Sequence, residues 1–173
     1  NFGAMFLGAL SIYSSSKTDF EFNERIPLLW SVGYFIIDTM DCVIRKDVTY
    51  LLHALLCLVL GMCNYNIPIL RDLRMNSKAT FCELSNPFMH LAKQTRNPMH
   101  FLLFAIVFTC CRMIWIPMMA QQIIQHGTMK LYHPVLIVLG AFYLLNCFWY
   151  LKIVRILVSA GSTTNTNKKA KNE

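Results

Sequence analysis

Charge is what this sequence has least of. Only 14% of its 173 residues are charged and 55% are apolar, against roughly 25% charged in an ordinary soluble domain. So few charges exclude a conventional water-facing surface. Chemical signatures are sparse too. There is no Ser-nucleophile elbow, P-loop or dinucleotide fingerprint. No His-Glu-x-x-His motif and no Cys-x-x-Cys spacing is present, so neither a metal nor a cofactor is expected. The net charge of +7 is scattered through interhelical turns and a tail. It forms no basic stripe, and nucleic acid is not an expected partner. The seven cysteines fall mostly inside apolar segments, which predicts buried free thiols packing as small hydrophobes.

What is present is length of hydrophobic run. About 20 apolar residues cross a bilayer as a helix, and four segments meet that requirement: Ile26 to Ile44, Val48 to Ile67, Met99 to Met119 and Pro134 to Ile153. Two weaker segments complete an expected six. Phe2 to Tyr13 is apolar but short, and residue 1 is Asn, so the chain reads as a fragment that starts in or just before a helix. Ser77 to Thr95 is long enough but carries Lys78, Glu83, Asn86, Pro87, His90 and Lys93. The expected fold is an all-α membrane protein, a bundle or barrel of about six transmembrane helices. The domain spans 1–159, truncated at its N-terminus, and residues 160–173 form a disordered basic cytosolic tail.

The connections expected are Ser14 to Arg25, Arg45 to Asp47, Pro68 to Asn76, Arg96 to Pro98 and Gln121 to Leu131. Most are short, which makes sequential helices antiparallel neighbours. Pro117 should kink its span. With six crossings, nine Lys/Arg fall on the tail side and six opposite, leaving Arg112 within a span. That bias puts the tail in the cytosol.

Ionisable groups in hydrocarbon cost roughly 2.5–3.5 kcal/mol each on insertion scales, so each requires a partner or a purpose. Asp38, His53, Glu83, Asn86, His90, Arg112 and Asn146 are the intramembrane polar residues. Glu83, Asn86 and His90 share a helix face. Together these residues suit a lipid headgroup site or an acid/base centre. The alternative is mutual satisfaction, with a carboxylate pairing Arg112 and the amides bonding neighbouring helices. For Asn146 the second reading is favoured.

Three stretches carry a family resemblance. Gly33-Tyr34-Phe35-Ile36-Ile37-Asp38, Arg45-Lys46-Asp47 and Tyr50-Leu51-Leu52-His53 resemble the central region of TLC-domain proteins. That family includes ceramide synthases, the TRAM translocon proteins and the TLC-domain-containing lipid-homeostasis proteins. Glu83-Leu84-Ser85-Asn86-Pro87-Phe88 is similar to the Glu-(Leu/Ile)-Ser-(Ser/Thr)-Pro-Phe signature of the last branch. The resemblance implies that the Glu83 segment spans and that the Arg45–Asp47 turn is cytosolic. It also exposes departures from the ceramide synthases. Their His-His pair is here His53-Ala54, and their His-Asp…Asp pattern is replaced by Glu83 and His90.

The resulting expectation is a protein that binds, senses or moves membrane lipid and contributes to lipid homeostasis. Its partners would be the bilayer and a sphingolipid, phospholipid or acyl-CoA. The alternative is a lipid acyltransferase with His53 as its catalytic base; a translocon accessory role follows by analogy alone. Lys169 and Lys171 lie fifth and third from the end, as in a dilysine retrieval signal. They favour the endoplasmic reticulum, with the plasma membrane as alternative.

Overall fold

The computed structural model describes residues 6–7, 9–10, 12–13, 25–127 and 133–169, with side chains described for all of these but 127 and 160–169. The described residues are helical almost throughout, without a strand. The expected first span is helical where described, and its remaining residues lie outside that set, as do 14–24 and 128–132 of two expected connections.

Helix α1 (Arg25–Arg45) leads through a tight turn to α2 (Val48–Asn66). Lys46 takes a left-handed conformation (φ 57°) that ends α1. The Asp47 carboxylate then accepts the Tyr50 amide and caps α2, satisfying a donor the first turn leaves orphaned. The two helices lie side by side because Gly61 has no side chain: a Cβ there would meet Val32 at 3.0 Å. Helix α3 (Pro68–Asp72) and a left-handed Arg74 (φ 53°) occupy the expected Pro68–Asn76 connection, so most of it is helical rather than loop.

A continuous rod then runs through α4 (Met75–Ala79), a 3₁₀ segment (Thr80–Leu84) and α5 (Ser85–Thr95). Its 21 residues reach about 31 Å at an α-helical rise. The tight segment precedes Pro87, which has no N–H for the Glu83 carbonyl. A third left-handed residue, Arg96 (φ 50°), and the Asn97 side chain on the Met99 amide (2.9 Å) build a turn like that at Lys46. Helix α6 (Pro98–Phe108), a π-helical segment (Thr109–Ile114) and α7 (Trp115–Gly127) form one long helix. Residues 121–127, expected as loop, continue it, because nothing in that stretch before Gly127 interrupts helix propagation. Pro117 is accommodated by the wide π turn before it, and the Met113 carbonyl, four residues back, accepts a bond from the Tyr143 hydroxyl (3.4 Å).

Helix α8 (Pro134–Lys169) closes the chain. Its backbone stays helical into the stretch that composition marks as a disordered tail, since extending an existing helix is far less costly than nucleating one. Residues 170–173 lie outside the described set.

Among the described residues, four helices are long and apolar enough to cross a membrane: Arg25–Arg45, Val48–Asn66, Pro98–His126 and Pro134–Ser159. Large apolar side chains such as Ile37, Val59, Ile106 and Leu144 project outward from them, an arrangement suited to lipid rather than water as solvent. The rod 75–95 is too polar to join that set. Its polar groups as far as Asn86 meet partners on neighbouring segments: Lys78 bonds Gln122 (2.8 Å), and Glu83 and Asn86 meet Arg112. Two apolar cores flank Arg112. One gathers Leu70, Met75, Ile116, Met119, Leu139 and Phe142; the other gathers Ala92, Phe104, Ala105, Phe108 and Ile153. The chain is an all-α membrane protein, as its hydropathy predicts.

Candidate functional site

Arg112 is the centre of the buried polar structure. It sits in the π-helical segment and is 3% exposed. Its Nε donates to the Cys82 carbonyl (3.2 Å) and the Ser85 hydroxyl (3.0 Å). One terminal nitrogen donates to Asn146 Oδ1 (3.0 Å), the other to Asn86 Oδ1 (3.1 Å). Glu83 supplies the countercharge at 3.9 Å, and Asn86 closes the loop by donating to the second Glu83 oxygen at 2.6 Å. The guanidinium therefore ties three helical segments together, and its planar fork suits that task in a way a lysine could not. Asn146 also donates to its own helix, to the Phe142 carbonyl (2.8 Å).

Beside this knot lies a cavity of about 850 Å³. Asp38, His53, Glu83, Asn86, His90 and Arg112 all line it, so the structure brings the sequence-predicted polar residues to one place. They are not equivalent. Glu83 and Arg112 are neutralised by each other. Asp38 is half-buried and has no hydrogen-bond or ion-pair partner among the described residues. His90 is exposed at the cavity rim rather than turned into the interior: at two turns beyond Glu83 it has left the buried part of the rod.

His53 is 7% exposed and enclosed by aromatic rings. Phe142 stacks on it at 5.2 Å, Trp149 lies at 5.2 Å, and Phe35 meets it edge-on at 6.4 Å. Its Nε2 faces the Cys57 sulfur at 3.7 Å, and its Nδ1 is buried without a partner. No carboxylate and no second imidazole touches the ring among the described residues. His53 faces the interior of the bundle.

A narrow apolar slot of about 80 Å³ adjoins the chamber, and Phe35 and Glu83 line both. Leu60, Met75, Ile116, Leu139 and Phe142 form its walls. At the opposite end the chamber reaches the two tight turns, where Arg45, Asp47, Lys93 and Lys152 line it. Tyr50 packs on Trp149 there (5.4 Å), as amphipathic rings do at a membrane–water boundary. Among the described residues no cluster of His, Cys, Asp and Glu is arranged to hold a metal ion. The seven cysteines are all unpaired, but only Cys42 and Cys82 are buried as expected; Cys57, Cys63, Cys111 and Cys147 are half-buried, and Cys110 is exposed.

Sequence reading missed Ser85, the Cys82 carbonyl, Tyr34 and the two mouth lysines. Ser85 and Cys82 were accessible to it: both lie within one turn of Glu83. The π segment left one trace, Pro117 three residues past its end.

Neither a search of curated proteins nor a search of solved structures returned a match. A family model described as the TLC domain matches residues 3–155, which include every residue of the chamber but Ile156. The chain belongs to the TLC-domain family, as a multi-helix membrane protein of lipid biology.

Proposed function

We propose that this protein binds a membrane lipid in the chamber and so contributes to membrane lipid homeostasis. The observation that carries the reading is the chamber itself. It is about 850 Å³ in volume, has a polar wall at mid-bundle, opens at the turns and adjoins an apolar slot. That combination suits an amphiphile, whose hydroxyl and ester groups would sit against Asp38, Asn86 and Tyr34 while its chains follow apolar surface. Acyl transfer with His53 as base is the second reading, favoured by one fact: a buried imidazole nitrogen without a partner. The dense aromatic packing of the ring favours the binding role. In this reading the protein resides in the endoplasmic reticulum.

The experiment is lipid retention by the purified full chain. Wild-type protein exchanged extensively into fresh detergent should keep about one lipid per chain, and Asp38→Leu/Tyr34→Phe should keep markedly less while remaining folded. Equal retention by both would remove the chamber reading. Acyl-CoA turnover that is lost in His53→Phe would establish the enzymatic one.

A further inference from the structure

Two cations at the chamber mouth are left over from the reading above. We propose that the bound amphiphile carries a phosphate, and that Lys93 and Lys152 bind this group where the chamber meets the turns. The inference rests on the chamber being a lipid site and names the class of lipid.

The argument is one of uncommitted charge. Four acidic and four basic side chains line the chamber. Arg112 is matched by Glu83 and hydrogen-bonded on all sides. Arg45 is held by Asp41 at 2.9 Å. Asp47 is occupied as the cap of α2. Lys93 and Lys152 alone among the lining cations have neither an ion pair nor a hydrogen bond among the described residues; Lys152 only rests on the Phe148 ring, 4.3 Å from its centre. Asp38 does not neutralise them. It makes no ion pair with either lysine among the described residues, and it lies about 10 Å deeper along α1, seven residues at a helical rise before Arg45.

The lysines come from different helices, α5 and α8, and line the same mouth, so the fold rather than local sequence places them together. Lys93 stands two residues before the end of its helix, and Lys152 one turn beyond Trp149, whose ring packs on Tyr50 near the start of α2. That is the depth at which lipid headgroups lie. A lysine is a flexible point charge with three donors, suited to a tetrahedral phosphate that is not held in one orientation. His90, one turn before Lys93 on the same rim, offers a further donor. A lipid phosphate and a small soluble phosphate share this chemistry.

The test compares phosphatidate with diacylglycerol of identical acyl chains, each titrated into full-length protein in nanodiscs and read by native mass spectrometry. Wild type should prefer phosphatidate at least tenfold, and added salt should shrink the preference. Lys93→Gln/Lys152→Gln should bring the ratio to near one while diacylglycerol binding and melting temperature stay unchanged. Lys93→Arg/Lys152→Arg should retain most of the preference. Glycerol 3-phosphate that competes identifies a soluble phosphate as sufficient; failure to compete shows that the lipid chains are required. Both lipids binding equally to wild type would overturn this inference and leave the chamber reading intact, and neither binding would overturn both. Should the glutamine variant fail to fold, the wild-type ratio and its salt dependence still decide.

Discussion

Removing Arg112 should be among the most damaging single changes to this protein. Arg112→Met keeps most of the side-chain length and deletes the charge. It leaves Glu83 as an uncompensated carboxylate, 7% exposed, 3.9 Å from where its partner stood. It also strips a donor from each of Ser85, Asn86 and Asn146. Breaking a buried pair from one side costs about 3–5 kcal/mol, about a fifth or more of a typical folding free energy of about 5–15 kcal/mol. Most of that cost is the stranded charge, which sets up a sharper test. Arg112→Met/Glu83→Leu removes both charges and should recover at least about 2 kcal/mol relative to Arg112→Met. The assay is reversible unfolding in mixed micelles with increasing SDS, followed by tryptophan fluorescence. A cost below about 1 kcal/mol for Arg112→Met, or a double variant no better than the single, would refute the reasoning that this ion pair organises the interior.

Three further outcomes are expected in the same assay. Gly61→Ala places a methyl 3.0 Å from Val32 and should cost about 1–3 kcal/mol through overpacking, largely relieved by Val32→Ala; an additive pair would show that α1 and α2 are not in close contact there. Lys46→Gly should be neutral to stabilising by about 0.5–1 kcal/mol, because glycine removes the Cβ penalty of a left-handed residue, and clear destabilisation would contradict the observed turn. Asp47→Ala should cost about 0.5–2 kcal/mol as the loss of an N-cap; no loss would mean the cap bond is not maintained in the membrane.

Hydropathy sufficed for the four apolar helices because lipid is a demanding solvent: a segment without charge and long enough to cross has few other homes. It failed where a helix hides polar groups inside the bundle. The rod 75–95 is invisible to a hydropathy window, yet its polarity is what Arg112 requires, and only the Glu83–Phe88 resemblance marked it. Boundaries failed for a different reason. Residues 121–127 and 160–169 look like loop and tail by composition, but each follows a long helix that has already met its nucleation cost. Site residues were legible as a set, since a charge in a span always needs an account. Their pairing was not, because which oxygen faces Arg112 depends on a π turn that no period in the sequence encodes. His90 shared a helix face with Glu83 in projection, but projection says nothing of depth, and the rim is where it stands.

The central claim is that a lipid occupies the chamber and does not merely coat the outside of the bundle. A photoreactive phospholipid with its diazirine on an acyl chain next to the ester, crosslinked in native membranes and mapped by peptide mass spectrometry, separates the two cases. The account predicts adducts on Tyr34, Asp38 and Met89, which line the chamber, and their loss on competition with unlabelled lipid. Adducts confined to outward residues such as Ile37, Val43 and Leu144, unaffected by competitor, would contradict it.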